Sequence, residues 1–404
     1  MEHQIVVVGG GSAGIAVAAT LLRKNKSLDI AIVDPSDTHY YQPAFTLVGG
    51  GSYNIDDTKR AESHCIPAGA HWIQESVESF DPGNNTLTTS AGTAISYKYL
   101  VVCPGLQLDW NRVEGLEDTI GKNGVCSNYL PEYATYTWEC IRNFKGRNAL
   151  FTQPPMPIKC AGAPQKIMYM AANHFQRNNV AADINFNTSI PAMFGVPLFA
   201  AALNKTIDRY GIKVDFKSTL VAIDGNAKQA VFEIGNTDGN KSRVTKPFDM
   251  IHVTPPQSAP DFIKSSPLGD AAGWVEVDHA TLQHVRFENI FGLGDATSTP
   301  NAKTAAAARL QAPIVAKNLL ALLNGESLPQ KYDGYGACPL VTSHNTVMLA
   351  EFCYGGKVTP SFPLDPTQER YGYWLMKKYF FPFLYWNFML KGIEWDISHK
   401  ELKT

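Results

Sequence analysis

An α/β fold is the expectation for this 404-residue chain, and three observations carry it. An uninterrupted apolar run, Gln4–Val8, opens into Gly9-Gly10-Gly11-Ser12-Ala13-Gly14 and then an Ala/Leu-rich stretch to about Arg23. A second apolar run, Asp29–Val33, ends on Asp34, twenty positions beyond Gly14. From Arg147 onward, short apolar runs again alternate with amphipathic stretches. Runs without polar alternation suit parallel strands buried on both faces. Together these features predict two Rossmann-like dinucleotide-binding-type domains in tandem, followed by a C-terminal membrane-associating segment. The boundaries expected are 1–110 with 270–330 for the first domain, 111–269 for the second, and 331–404 for the remainder.

In the first domain, the glycines let the backbone approach a pyrophosphate at a positive helix end, and Asp34 takes a ribose hydroxyl. The cradle residues are Gly9, Gly11, Ser12, Ala13, Gly14, Asp34 and Pro35. Thr38–Gly51 is aromatic and then Gly-rich, with Gln42 and Pro43 expected nearest a flavin ring. Trp72–Phe80 (with Val77 on the cofactor side), Thr86–Thr89 and Tyr97–Cys103 read as strands. The last runs into Pro104-Gly105, a turn over the pyrophosphate, where Cys103 is a small buried residue. Much later, a strand at Asn289–Gly292 leads to Gly294, Asp295, Lys303 and Thr304 and a helix, Thr304–Asn324. This is a second flavin signature: a carboxylate near the ribityl chain and a helix N-terminus facing developing negative charge. Lys303 either adds to that field or is simply solvated.

The second unit reads as a helix at Pro131–Phe144, strand Arg147–Phe151, helix Pro164–Phe175, strand Ala182–Asn187 and helix Val196–Tyr210. Strands follow near Ile212–Phe216, Leu220–Asp224, Ala230–Ile234 and Asp249–Thr254. Where a second Gly-rich phosphate loop belongs, Thr152–Lys166 carries Cys160 with Lys159 and Lys166 on either side, and no G-x-G-x-x-G. Thiol chemistry replaces a second nucleotide in this reading. Cys338 lies in the third segment, before a strand at Thr346–Phe352. Tyr371–Trp395 is the most aromatic stretch, interrupted by Lys377, Lys378, Pro382 and Lys391. It suits an interfacial amphipathic segment with its lysines toward anionic lipid, against the alternative of a core-packing helix.

Composition narrows the classes. With 18% charged and 45% hydrophobic residues the chain is globular, and a net charge of −2 gives no reason to expect nucleic acid. No apolar run reaches the roughly 18 residues of a spanning helix. Met1–Gln4 leads straight into a strand, so no signal peptide is expected. Seven cysteines without C-x-x-C do not make a disulfide scaffold, and no metal site is expected.

These motifs, with Pro157–Lys166, His252–Pro256, Lys303–Ala307, Cys338–Thr342 and Pro382–Asn387, resemble the sulfide:quinone oxidoreductase family of the flavin disulfide-reductase superfamily, and cover nearly the whole chain in order. The resemblance implies FAD, and Cys160 and Cys338 as a redox pair joined by a disulfide or by a bridge holding extra sulfur. Cys65, Cys103, Cys126, Cys140 and Cys353 are read as structural, the last within a strand. It implies hydrogen sulfide as substrate, with the sulfane sulfur left on Cys338 and a thiolate on Cys160. It further implies ubiquinone or another quinone as electron acceptor, and sulfite, glutathione, coenzyme A or sulfide as sulfur acceptor. Phe381, Phe383, Tyr385, Phe194 and Phe352 are the candidate quinone contacts. A peripheral attachment to a bacterial or mitochondrial inner membrane is expected, and a homo-oligomer is compatible with the family. Three rivals remain: a type II NADH:quinone oxidoreductase, a flavocytochrome-type sulfide dehydrogenase subunit, and a non-enzymatic flavin-binding protein.

Overall fold

The computed structural model describes residues 1–235, 240–395 and 401–402. The first layer is a seven-stranded sheet. In chain order its first six members are β1 (Glu2–Val8), β2 (Ile30–Val33), β3 (Ala70–Ile73), β4 (Val77–Asp81), β5 (Thr86–Thr89) and β6 (Ala94–Val102), the seventh being Ile290–Gly292. They lie in the order β3-β2-β1-β6-β5-β4. Ile5, Val6 and Val7 of β1 are fully buried, as a central parallel strand requires. Helix α1 (Ser12–Lys24) is buried over most of its length, Ala13, Ala16, Ala18 and Ala19 included, small side chains that allow close approach of its neighbours.

The single strand expected at Trp72–Phe80 is two. β3 pairs in parallel with β2, ends where Ile73 accepts the Asp34 amide, and the chain reverses into the antiparallel β4–β5 pair. β3 and β4 lie at opposite edges of the sheet, so one unbroken strand cannot supply both.

The second sheet has the order β7-β14-β8-β9-β10. Its members are β7 (Val125–Cys126), β8 (Asn148–Gln153), β9 (Asp183–Thr188), β10 (Lys213–Phe216) and β14 (Met250–His252). Between the last two runs a three-stranded antiparallel sheet, β11 (Ser218–Asp224), β12 (Gln229–Gly235) and β13 (Lys241–Pro247). β13 carries almost only exposed residues, so no hydrophobic period marks it in the sequence. Helices α2 (Phe45–Gly49) and α3 (Pro131–Arg142) pack together, and α4 (Ala163–Arg177) and α5 (Pro197–Tyr210) cover one face.

β15 (Ile290–Gly292) then returns to the first sheet beside β6, and α6 (Ala305–Leu323) packs on α1. β16 (Gly336–Val341) and β17 (Val347–Phe352) form a ribbon, followed by α7 (Tyr371–Leu375), a π-turn (Met376–Phe380) and α8 (Phe381–Asn387). Pro339 hides β16 from sequence reading, but a two-stranded ribbon is all edge and tolerates it. Cys353 falls outside β17: its amide is taken by Lys357, in a turn where Gly355 and Gly356 have φ of 75° and 73°.

Candidate active site

The first glycine loop is shaped by close approach. Gly9 has φ +107°, and a Cβ there would stand 2.6 Å from the Cys103 carbonyl oxygen. A Cβ on Gly14 would stand 1.8 Å from the Gly9 oxygen, whereas at Gly11 the space is open. The Gly10 amide donates to Asp34 Oδ2 at 2.6 Å, with Pro35 exposed just beyond. Ser12 and Ala13 start α1, Val77 is buried where β4 begins, and Pro104-Gly105 follows β6 with open space at Gly105. Gly294 has φ +75° and leans on the same cradle, its would-be Cβ 3.1 Å from that of Ala13.

Lys303 is not the solvated lysine its alternative reading held. It is buried, donates to the carbonyls of Asp295 (2.8 Å) and Thr297 (2.9 Å), and lies 4.1 Å from the centre of the Trp274 ring. Burial pulls its pKa down to about 8, against the attraction of Asp295 and Asp270. Burial likewise raises Asp295, opposed by Lys303 and Lys159. Thr304 caps α6, accepting from the Ala307 amide. An open cradle at Gly11, a carboxylate held at Gly10 and a helix N-terminus beside Asp295 fit FAD.

The sulfurs meet next to this loop. Cys160 Sγ and Cys338 Sγ are 3.4 Å apart, with no disulfide between them. Cys160 sits at the turn into α4 with φ +53°, a left-handed conformation that costs about 1 kcal/mol or more for a non-glycine. Its amide donates to the Lys303 carbonyl at 2.8 Å, and Lys159 bridges Lys303 strand-fashion. The loop bearing the thiol is thereby fastened to the flavin loop. Gly162 leaves room for the partner: a Cβ there would stand 2.7 Å from Cys338 Sγ.

Of the two flanking lysines, Lys166 reaches the sulfur, donating to Cys160 Sγ at 3.0 Å, while Lys159 donates to Gln42 Oε1 at 2.7 Å. The hydrogen bond from Cys338 is the largest cause holding the Cys160 thiol well below its usual pKa, with Lys166 and Lys377 adding to it against burial. The same bond and burial push Cys338 well above. Lys166 is buried, which lowers its pKa, yet the two sulfurs outweigh that and raise it. The arrangement is one ready thiolate and one held thiol.

Sequence reasoning missed Lys377. It was expected to face lipid, but it is 3% exposed and donates to the Pro43 carbonyl at 2.6 Å. Burial, then repulsion from Lys166, lowers its pKa to about 7. Its signal is helical spacing: Tyr373, Trp374 and Lys377 share the buried side. Phe194 and Phe352 meet edge to face at 5.7 Å in the cluster that holds Cys338 and Cys160. Phe381 is half-buried and Phe383 exposed. Tyr385 turns elsewhere: its hydroxyl lies 2.6 Å from Ser12 Oγ, in the glycine loop.

The pyridine nucleotide-disulphide oxidoreductase family matches residues 3–130. The mitochondrial sulfide:quinone oxidoreductase of Mus musculus is 42% identical, over 97% of this chain and 87% of that protein. That of Dictyostelium discoideum is 45% identical, over 96% and 86%. The crystal structure of sulfide:quinone oxidoreductase from Aquifex aeolicus shares the fold, with TM-score 0.79 at 21% identity over 97% of this chain and 92% of that one. With relatives this similar over nearly its full length, the chain belongs to the sulfide:quinone oxidoreductase family.

Proposed function

We propose that this flavin-dependent oxidoreductase oxidises sulfide at Cys160 and Cys338 and delivers the electrons to quinone. The observation that carries the reading is the thiol pair, 3.4 Å apart, beside Lys166 and hydrogen-bonded to the flavin loop. When bound, FAD supplies a two-electron acceptor for the thiolates and a donor for quinone.

The resting bridge is a disulfide or holds one further sulfur. Two S–S bonds meeting at one sulfur span about 3.3 Å, so the observed separation accepts that atom with little movement. Sulfide attacks the sulfur on the Cys338 side, leaving a persulfide there and, at Cys160, a thiolate from the disulfide or a persulfide anion from the longer bridge. Lys166 holds that thiolate with a charged hydrogen bond. A small nucleophile (sulfite, glutathione, coenzyme A or sulfide) takes the outer sulfur from Cys338, and the bridge re-forms as two electrons leave.

We place the chain peripherally on an inner membrane, mitochondrial as for its relatives or bacterial. Among the described residues no helix is long and apolar enough to cross a bilayer. Support comes from exposed Tyr371, Leu375, Tyr379, Phe380 and Phe383 on the α7–α8 segment. Phe381 and Phe383 there, and Phe194 and Phe352 nearer the sulfurs, remain the candidate quinone contacts.

Anaerobic stopped-flow absorbance tests the reading. Sulfide should give a long-wavelength thiolate–flavin band and bleach the flavin, and a soluble quinone should restore it. Cys160→Ser should abolish both signals. Bleaching by NADH with none by sulfide would overturn the proposal in favour of a nicotinamide-driven enzyme.

A further inference from the structure

The outer face of the aromatic tail carries a polar pocket beside its hydrophobic side chains. A cavity of about 300 Å³ opens between residues 52–57 and residues 378–382. It stands at the lower end of the size range of small-molecule sites. Of its lining, Pro382 is buried and Tyr53 half-buried, while Asn54, Asp57 and Tyr379 are exposed, so the pocket is open to solvent. The turn that carries Asp57 is held in place. Asn54 Oδ1 accepts from the Asp56 amide at 3.1 Å, and the Asn54 carbonyl accepts from the Asp57 amide at 3.2 Å.

Two opposite charges line this pocket. They are the Lys378 ammonium and the Asp57 carboxylate, and neither enters an ion pair among the described residues. Lys378 Nζ lies 5.3 Å from the centre of the Tyr379 ring. Burial, and then the Asp57 charge, raise the pKa of Tyr53, so that carboxylate and phenol stand close. The neighbouring charges are already engaged. Asp56 pairs with Lys59 at 2.7 Å, Arg60 lies 4.2 Å over the Trp386 ring, and Lys377 is buried. Charge on this face is therefore balanced, unlike the cluster of basic residues that recognises anionic lipid.

The occupant follows from charge and from place. Tyr379 lines the pocket and, at 60% exposure, also belongs to the outward row with Leu375, Phe380 and Phe383. A ligand with its polar end in the pocket and its apolar end along that row is a membrane lipid. We infer that the pocket seats the headgroup of a zwitterionic phospholipid, with Lys378 taking the phosphate and Asp57 the ammonium. Asp57 selects against a headgroup that is anionic only, and the Tyr53 ring beside it suits an alkylated ammonium. The inference rests on the membrane reading given above and adds a lipid class to it.

The test is co-sedimentation of the holoenzyme with vesicles of phosphatidylcholine and, separately, of phosphatidylglycerol at one ionic strength. Wild type should bind phosphatidylcholine the more tightly. Asp57→Asn should weaken that binding about five-fold, the upper worth of an exposed ion pair, and strengthen binding to phosphatidylglycerol. Lys378→Gln should weaken both, and Asp57→Glu, which keeps the charge, should keep the preference of the wild type. Binding by Asp57→Asn within two-fold of wild type on both kinds of vesicle overturns the inference alone. A wild type that prefers phosphatidylglycerol does the same. Wild-type protein that binds neither overturns the membrane reading as well.

Discussion

Cys160 is a thiolate by arrangement. Its sulfur takes hydrogen bonds from Cys338 and Lys166 while its backbone is held at φ +53°. Removing the Lys166 charge leaves desolvation less opposed, so the Cys160 pKa must rise. Lys166→Met should move the pH midpoint of Cys160 alkylation by iodoacetamide upward by about one unit or more. The adjacent glycine carries a separate constraint. Gly162→Ala would thrust a methyl group onto Cys338 Sγ and Leu340. Misplacing a reacting atom by an ångström costs about 10²-fold. Steady-state quinone reduction should fall by that order while the flavin spectrum of the oxidised protein stays normal.

At the scale of elements, the α7–α8 segment divides its faces. Tyr373, Trp374, Tyr385 and Trp386 turn inward, and Tyr371, Leu375, Tyr379, Phe380 and Phe383 turn outward. Aromatic residues alone did not reveal that division, because both faces are rich in them. The π-turn between the helices breaks simple helical counting as well. The lysines followed the same rule: Lys377 went inside, so its neighbour Lys378 is the one near the outer face. Replacing Tyr379 and Phe383 together with serine should weaken co-sedimentation with phospholipid vesicles, by about ten-fold per aromatic, and leave sulfide-driven bleaching intact. The glycine loops and the α/β order were legible in the sequence because each has a local signature. β13, with no apolar face, and β16, with an internal proline, had none.

For the molecule as a whole, the fold was readable from motif order, and the family resemblance implied the meeting of Cys160 with Cys338 across 178 residues of chain. The polar joints between distant segments were not: Lys377 with Pro43, Tyr385 with Ser12 and His39, and Cys160 with Lys303 depend on tertiary placement. One joint affects global stability. The folded state holds Lys377 near pKa 7 against 10.5 when exposed. Between those values the unfolded chain binds more protons, so the Lys377 penalty is largest below about pH 7 and fades as pH rises toward 10.5. Lys377→Met should therefore raise the denaturant midpoint at pH 7, with the gain shrinking by pH 9.5.

The link from the Cys160 amide to the Lys303 carbonyl has a kinetic meaning. It joins the loop that carries Cys160 to the loop that carries Asp295 and Lys303. A clamp that swings on each cycle would tear that link each time. With the two loops joined at that point, turnover should follow the supply of small molecules and not the swing of one loop away from the other.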